Sequence, residues 1–317
     1  MTSNSQHSSQ SPQQSAEASD QLMQFLQDNA LPLMLPFYAA PQARPYRITP
    51  IGILDAIKSA SEKSTPFSIL RMGDGEGWWL ERSALDEAQH RNLFRLGRKK
   101  FCDRWFNDGV FGSSDVFQAT TGRLRAALAR CTVLAAPTEK VLRRQYERPN
   151  LTSSVGIVSA VQFSHQQVGL RDVKISETGV NHVLVQREEF WQILRNSKSV
   201  NLIAPHEELP ELLMSRRGVA VESFLKTPSS RHNETELPVS SRNGHHYPNV
   251  FQEITQHLEA QKNLSGSIWI LAAGMLGKIY GDIVYLKGGI VLDLGSVVDG
   301  WIGVKTRPFI DLERSRL

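Results

Sequence analysis

Cysteine is almost missing from this chain: Cys102 and Cys131 are the two it has in 317 residues. Two thiols without C-x-x-C spacing build neither a disulfide framework nor a zinc site, so a reducing, cytoplasmic setting is expected. Long apolar runs are missing as well, and nothing approaches the roughly 20 consecutive apolar residues of a membrane span. Residues 1–20 carry neither the basic nor the apolar segment of a signal peptide. This Ser- and Gln-rich stretch offers too little apolar surface to order itself, and a disordered tail is expected there. A large excess of one charge is also lacking. The formal net charge is +4, the sequence pI is about 9.1, and the arginines are scattered. That balance disfavours an extended nucleic-acid partner and suits a small anionic ligand or an acidic membrane surface.

What the chain does have is 40% apolar residues, enough for one large core. Residues 21–48 read as a short helix, with Leu22, Phe25 and Leu26 in register, followed by a proline-rich connection. Its apolar stretch, Leu31 to Ala40, is broken by Pro32 and Pro36 and is expected to pack on the core or a partner, with a peripheral membrane contact as the other reading. Thr49-Pro50 is a helix start, Thr as N-cap and Pro in the first turn. From there to residue 317 apolar runs alternate with helical patterns. Strands are expected at Phe67 to Leu70, Thr132 to Ala136, within Gly169 to Glu177, at Val200 to Ala204, Gly218 to Phe224, Ile268 to Ala272 and Ile290 to Leu294. Helices are expected over Leu85 to Phe106, Val116 to Arg130, Thr138 to Arg148, Asn181 to Asn196, Pro205 to Arg217, Tyr247 to Gln261 and Met275 to Leu286, while Ser153 to Gln167 is ambiguous. Such alternation implies crossover connections and an α/β fold with a largely parallel, Rossmann-like sheet flanked by helices, in one domain over 49–317.

Chemistry concentrates at Arg71-Met72-Gly73-Asp74-Gly75-Glu76, which follows the first strand at once. Asp74 and Glu76 flank a glycine, so both carboxylates can be held close at a strand end, where two hard oxygen ligands suit a divalent cation that also binds phosphate oxygens. The plainer alternative is a surface turn in which Arg71 pairs with one of the acids. A second stretch, Ala272-Ala273-Gly274-Met275-Leu276-Gly277-Lys278, puts glycines where a helix begins, so that free amides and the helix dipole can receive a phosphate with Lys278 adding charge. Close helix packing would use the same glycines. Asp293, an acid late in an apolar strand, suits a hydrogen bond to a sugar or ribose hydroxyl, or a salt bridge to Lys278. The polar loop around Arg242-Asn243-Gly244-His245-His246 could clamp a diphosphate or an acceptor.

The string R-M-G-D-G-E at 71–76 resembles the R-x-G-D-G-E signature of the GT-D-type glycosyltransferases. The C-terminal run from Ile268 to Gly303, with A-A-G-M-L-G-K and V-L-D-L-G-S, is similar to that family's closing strand-helix-strand unit, and Arg242-Asn243-Gly244 resembles a K-N-A step. The resemblance covers about Thr49 to Val304 and is specific at its two ends. It implies a GT-D-like Rossmann fold and transfer of a sugar from a nucleoside diphosphate sugar, UDP first among them, to a hydroxyl on a glycan or protein acceptor. It also implies a Mn2+ or Mg2+ ion on Asp74 and Glu76, with Arg71, Gly73, Gly75, Asn243, Gly274, Gly277, Lys278 and Asp293 around the donor. Asp74, Glu76 and His246 are then the candidate catalytic groups, Glu76 and His246 being those to consider as the acceptor base. The rival expectation is a Rossmann-like methyltransferase or NAD-dependent enzyme using the Gly274 to Gly277 turn, which the incomplete glycine spacing disfavours.

Overall fold

The structure is a computed structural model that describes residues 12–34, 43–80, 88–94, 114–151, 153–169, 172–229, 245–306 and 317. Seven strands form one sheet: β1 (Phe67–Arg71), β2 (Val133–Ala136), β3 (Lys174–Glu177), β4 (Ser199–Ala204), β5 (Val221–Lys226), β6 (Ser267–Leu271) and β7 (Ile290–Asp293). Their order is β3-β2-β1-β7-β6-β4-β5, and every pairing is parallel. The apolar runs noted above are these strands. Buried on both faces, they have no need for polar alternation.

Alternate strand residues feed two cores. Leu70 and Leu134 join one, Ile69 and Val133 the other. The first is covered by α1 (Pro12–Asn29), α3 (Asp74–Trp79), α4 (Ser114–Arg130), α5 (Glu139–Glu147), α6 (Ser154–Gln167), α10 (Asn249–Ala260) and α11 (Leu276–Leu286). The second is covered by α2 (Pro50–Lys63), α7 (Val180–Leu184), α8 (Glu188–Asn196), α9 (Leu209–Arg217) and α12 (Val297–Trp301). Connections running toward β3 carry their helices on the first face, and those running toward β5 carry them on the second. A single crossover hand demands this arrangement. The chain leaves β4 toward β5 but leaves β6 toward β7, so the carboxyl ends of β4 and β6 border a topological switch point, where open parallel sheets bind ligands.

Several expectations need correction. Helix α1 begins at Pro12, inside the segment expected to be disordered, because Ala18, Leu22, Phe25 and Leu26 are buried and the helix packs on α6. The single helix expected over Asn181 to Asn196 is two, α7 and α8. The Val185 carbonyl, which a continuous helix would use four residues on, accepts instead from Trp191 Nε1 at 2.9 Å. The ambiguous Ser153 to Gln167 stretch is helix α6, and D-G-E-G-W-W is helix α3 rather than a turn. Of the helix expected over 85–106, only 88–94 lies among the described residues. Among those residues no helix is long and apolar enough to cross a membrane.

Candidate functional site

Glycines decide how the D-x-E segment sits. After β1 the chain passes through Gly73, in extended conformation, and turns into α3 at Asp74. Glu76, the third residue of that helix, reaches back so that the Gly73 N–H donates to Glu76 Oε2 at 2.9 Å, half of a capping box. One turn on, a Cβ on Gly77 would lie 1.8 Å from the Gly156 carbonyl oxygen, and a Cβ on Gly156 would lie 2.0 Å from that of Asp74. Helices α3 and α6 therefore meet backbone to backbone, and the acidic turn is clamped from the side. The Gly77–Gly156 contact was missed in the sequence. Its one visible signal is glycine inside two helical stretches.

The two resemblance stretches meet in a buried ion network. Lys278, in the first turn of α11, places Nζ 2.6 Å from Glu76 Oε1 and 3.1 Å from Asp293 Oδ2, and donates to the Gly274 carbonyl at 3.0 Å. Asp293 Oδ2 also accepts from the Arg71 N–H at 3.0 Å. Lys278 is 5% exposed and Asp293 4%, so neither charge is screened by water. Burial by itself would raise the Glu76 carboxyl, but the Lys278 charge and hydrogen bond, with backbone amides, outweigh it and hold the group below its ordinary range. Burial likewise works against the Lys278 ammonium, and Asp293 and Glu76 overcome it, keeping the lysine charged above its usual range. All three ammonium donors are spent on protein oxygens. Lys278 thus supplies position and charge rather than a hydrogen bond to a ligand.

Arg71 is the contrasting cation. Its Nε donates to the Thr178 carbonyl at 3.1 Å and its Nη1 to the Leu294 carbonyl at 2.9 Å, and among the described residues no carboxylate lies within ion-pair distance of its guanidinium. Two neutral carbonyls fix the fork, and among the described residues its charge is uncompensated and Nη2 makes no hydrogen bond. Gly295, at φ +55°, is required here, since a Cβ would fall 2.4 Å from Arg71 Nη1. The Leu294 carbonyl also accepts from Asn181 Nδ2 at 2.6 Å, and the buried Oδ1 of Asn181 has no partner among the described residues. Across the mouth, Gly274 turns at φ +59° ahead of α11, and the amides of Ala273, Gly274 and Met275 make no backbone hydrogen bond among the described residues. Asp293 Oδ1 is likewise without a hydrogen bond there. Gly277 is held 3.1 Å, at its Cβ position, from the Ala273 side chain, a packing role. Gly75 sits half-buried on α3.

The turns after β4 and β7 are also joined: His206, fully buried, contacts Asp299 Oδ1 through Nε2 at 2.8 Å, and Thr306 Oγ1 donates to Asp299 Oδ2. His246 is not brought to this cluster. It is 2% exposed, with Nε2 2.7 Å from Tyr280 Oη, and Tyr280 lies two residues beyond Lys278, about 200° round the helix. Asn243, with Arg242 and Gly244, lies outside the described residues. For a cation on Asp74 and Glu76 the fit is poor as arranged, because both Glu76 oxygens are engaged and an ammonium stands 2.6 Å from one of them. No group of three or more His, Cys, Asp or Glu able to hold a metal ion occurs among the described residues.

Two partly buried histidines make the fold acid-sensitive. Burial, with Arg71 nearby, pushes His182 down to about 4, and burial pushes His165 on α6 down to about 4 against a small opposing pull from Glu139. Both stay neutral in the folded state down to about pH 4 but bind a proton near 6.5 when unfolded. The unfolded chain therefore binds more protons between these values, and stability is lost as pH falls through that window. Thermal melts at pH 7 and pH 5 should show a drop in Tm that shrinks in a His165→Gln/His182→Gln variant. An equal drop in both proteins would refute the assignment.

No family model, no curated protein and no solved structure matches this chain.

Proposed function

We propose that the chain is a glycosyltransferase that moves a sugar from a nucleoside diphosphate sugar, UDP-linked first among the candidates, to a hydroxyl of a glycan or protein acceptor. The observation that carries this reading is the meeting of the R-M-G-D-G-E turn with the A-A-G-M-L-G-K and V-L-D-L-G-S stretches at the carboxyl ends of β1, β6 and β7, through Glu76, Lys278 and Asp293. Around that junction the groups suit an anionic, hydroxyl-bearing donor. Arg71 offers a guanidinium edge that no carboxylate among the described residues compensates, a geometry made for phosphate oxygens. The amides of 273–275, at the positive end of α11, add donors for the same charge. Asp293 Oδ1 can accept from a ribose or sugar hydroxyl.

In this reading the acceptor oxygen bonds to the anomeric carbon as the bond to the diphosphate oxygen breaks, and negative charge grows on the leaving group. Arg71 and the α11 amides are already placed to meet that charge, which is where fixed dipoles lower a barrier most. The acceptor proton passes to a carboxylate. Asp74, half-buried as the first residue of α3 directly after the β1 turn, takes that role. The Glu76–Lys278–Asp293 network holds the two turns in register. A divalent cation on Asp74 and Glu76 has no place in this arrangement while Lys278 and the Gly73 amide engage both Glu76 oxygens.

Arg71→Lys is the sharpest probe, because lysine keeps the charge but loses the tethered fork. Charge-assisted hydrogen bonds contribute about 1.5–3 kcal/mol each, so donor affinity, measured by calorimetry with UDP and UDP-sugars, should weaken by about 10- to 100-fold. Unchanged affinity would remove Arg71 from the donor site. A panel of sugar nucleotides, with and without EDTA, tested for hydrolysis and thermal stabilisation decides donor class and cation need together. Stabilisation by S-adenosylmethionine or NAD, with none by any sugar nucleotide, would overturn the proposal.

A further inference from the structure

Helix α5 is peculiar for what its outer face carries. It starts three residues past the carboxyl end of β2 and runs into α6, whose first turns clamp α3. Ser153 and Ser154 both donate to Gln145 Oε1, at 3.1 and 3.0 Å, and fasten α5 to the start of α6. The whole helix therefore lies along the rim at the end of the sheet where the Arg71 site opens. Leu142 faces the core, whereas Lys140, Arg143, Arg144 and, at the C-cap, Arg148 are exposed. At about 100° per residue these four fall within an arc of about 140°. None of the four has a carboxylate within ion-pair distance among the described residues. Glu147 shares the arc, leaving three net positive charges on one exposed face.

An apolar element adjoins the same helix. The 3-10 turn Leu31–Met34 packs against α5, its Leu33 and Met34 leaning on the core while Leu31 stays 47% exposed. Cations with no carboxylate partner among the described residues, on a helix packed against a turn that bears an exposed leucine, form a surface that is both electrostatic and apolar. Nucleic acid would use the cations but has no use for the leucine. An anionic bilayer surface uses both: its headgroups attract the arginines and lysine, and its interfacial region accepts the aliphatic chain.

We propose that this face, α5 together with the Leu31–Met34 turn, docks the protein on anionic lipid membranes, turning the rim of the candidate site toward the bilayer. The docking does not depend on the sugar-transfer reading. The full chain should co-sediment with vesicles of phosphatidylcholine and phosphatidylglycerol in equal parts, remain in solution with pure phosphatidylcholine, and be released as salt is raised. Each basic residue near an anionic surface is worth about fivefold in partitioning, so Arg143→Gln/Arg144→Gln should lower binding about 25-fold. Leu31→Asp, at an exposed position, should lower it as well. Absence of binding to the mixed vesicles, or binding unaltered in the arginine variant with its circular dichroism intact, would overturn the proposal. Retention on RNA with no retention on vesicles would reassign the face and overturn it too.

Discussion

Replacing Lys278 by methionine should cost about 3–5 kcal/mol of folding free energy, because it strands Glu76 and Asp293 as buried carboxylates without their shared cation. An exposed salt bridge would lose under about 1 kcal/mol, so denaturant unfolding separates the two cases cleanly. A second substitution sharpens the result. In Lys278→Met/Glu76→Gln one of the stranded charges is gone, so the double variant should recover part of the loss and be clearly non-additive. Additivity, or a loss as small as a surface pair gives, would show that the network is solvated. The pH dependence has a defined sign on both flanks. Glu76, held below its usual range, adds stability above about pH 4.5 that disappears as pH falls through its folded value, and Lys278, held above its range, adds stability below about pH 10.5 that disappears as pH rises through its own.

Gly156→Ala should be worse than its chemistry suggests. One methyl group would lie 2.0 Å from the Asp74 carbonyl oxygen, inside a contact between two main chains, neither of which can yield as a side chain does. Overpacking costs about 1–3 kcal/mol where side chains can adjust, and here about 3 kcal/mol or more is expected, with α3 pushed away from α11. The molecule contains its own control. Gly122, inside α4, has no atom of the described residues outside its own helix backbone within 4 Å of where its Cβ would be, and Gly122→Ala should stabilise by about 0.5–1 kcal/mol through the ordinary helix preference for alanine. Thermal melts of the two variants, with UDP-sugar binding measured alongside, test the clamp. Similar behaviour of both would mean that the helices do not touch at Gly156.

Local patterns carried much of this structure. The uninterrupted apolar runs at Thr132 to Ala136 and Ile268 to Ala272 announce strands covered on both faces, and Thr49-Pro50 announces a helix whose Thr49 Oγ1 does accept from the Gly52 N–H at 3.1 Å. These signals are legible because each depends on neighbours within a few residues. The helix over Pro12 to Asp20 was not legible, since its polar composition yields order only when Ala18 and Leu22 find α6 to pack on. The same holds for the break between α7 and α8, made by an indole six residues away.

By itself, then, the sequence determined that this is a parallel α/β protein and that its chemistry-bearing residues collect in the turns after its strands, because period and polarity are local properties of a chain. Which turns face one another was decided by the order β3-β2-β1-β7-β6-β4-β5, which brings residues 71, 76, 278 and 293 together across more than two hundred positions. Tertiary structure also settled what each charge does. Lys278 and Arg71 read alike as basic residues beside glycines, yet one is buried and neutralised by two carboxylates and the other is tethered by carbonyls with no carboxylate partner among the described residues. The strength of a charge depends on distance and on access to solvent, and neither exists until the chain has folded.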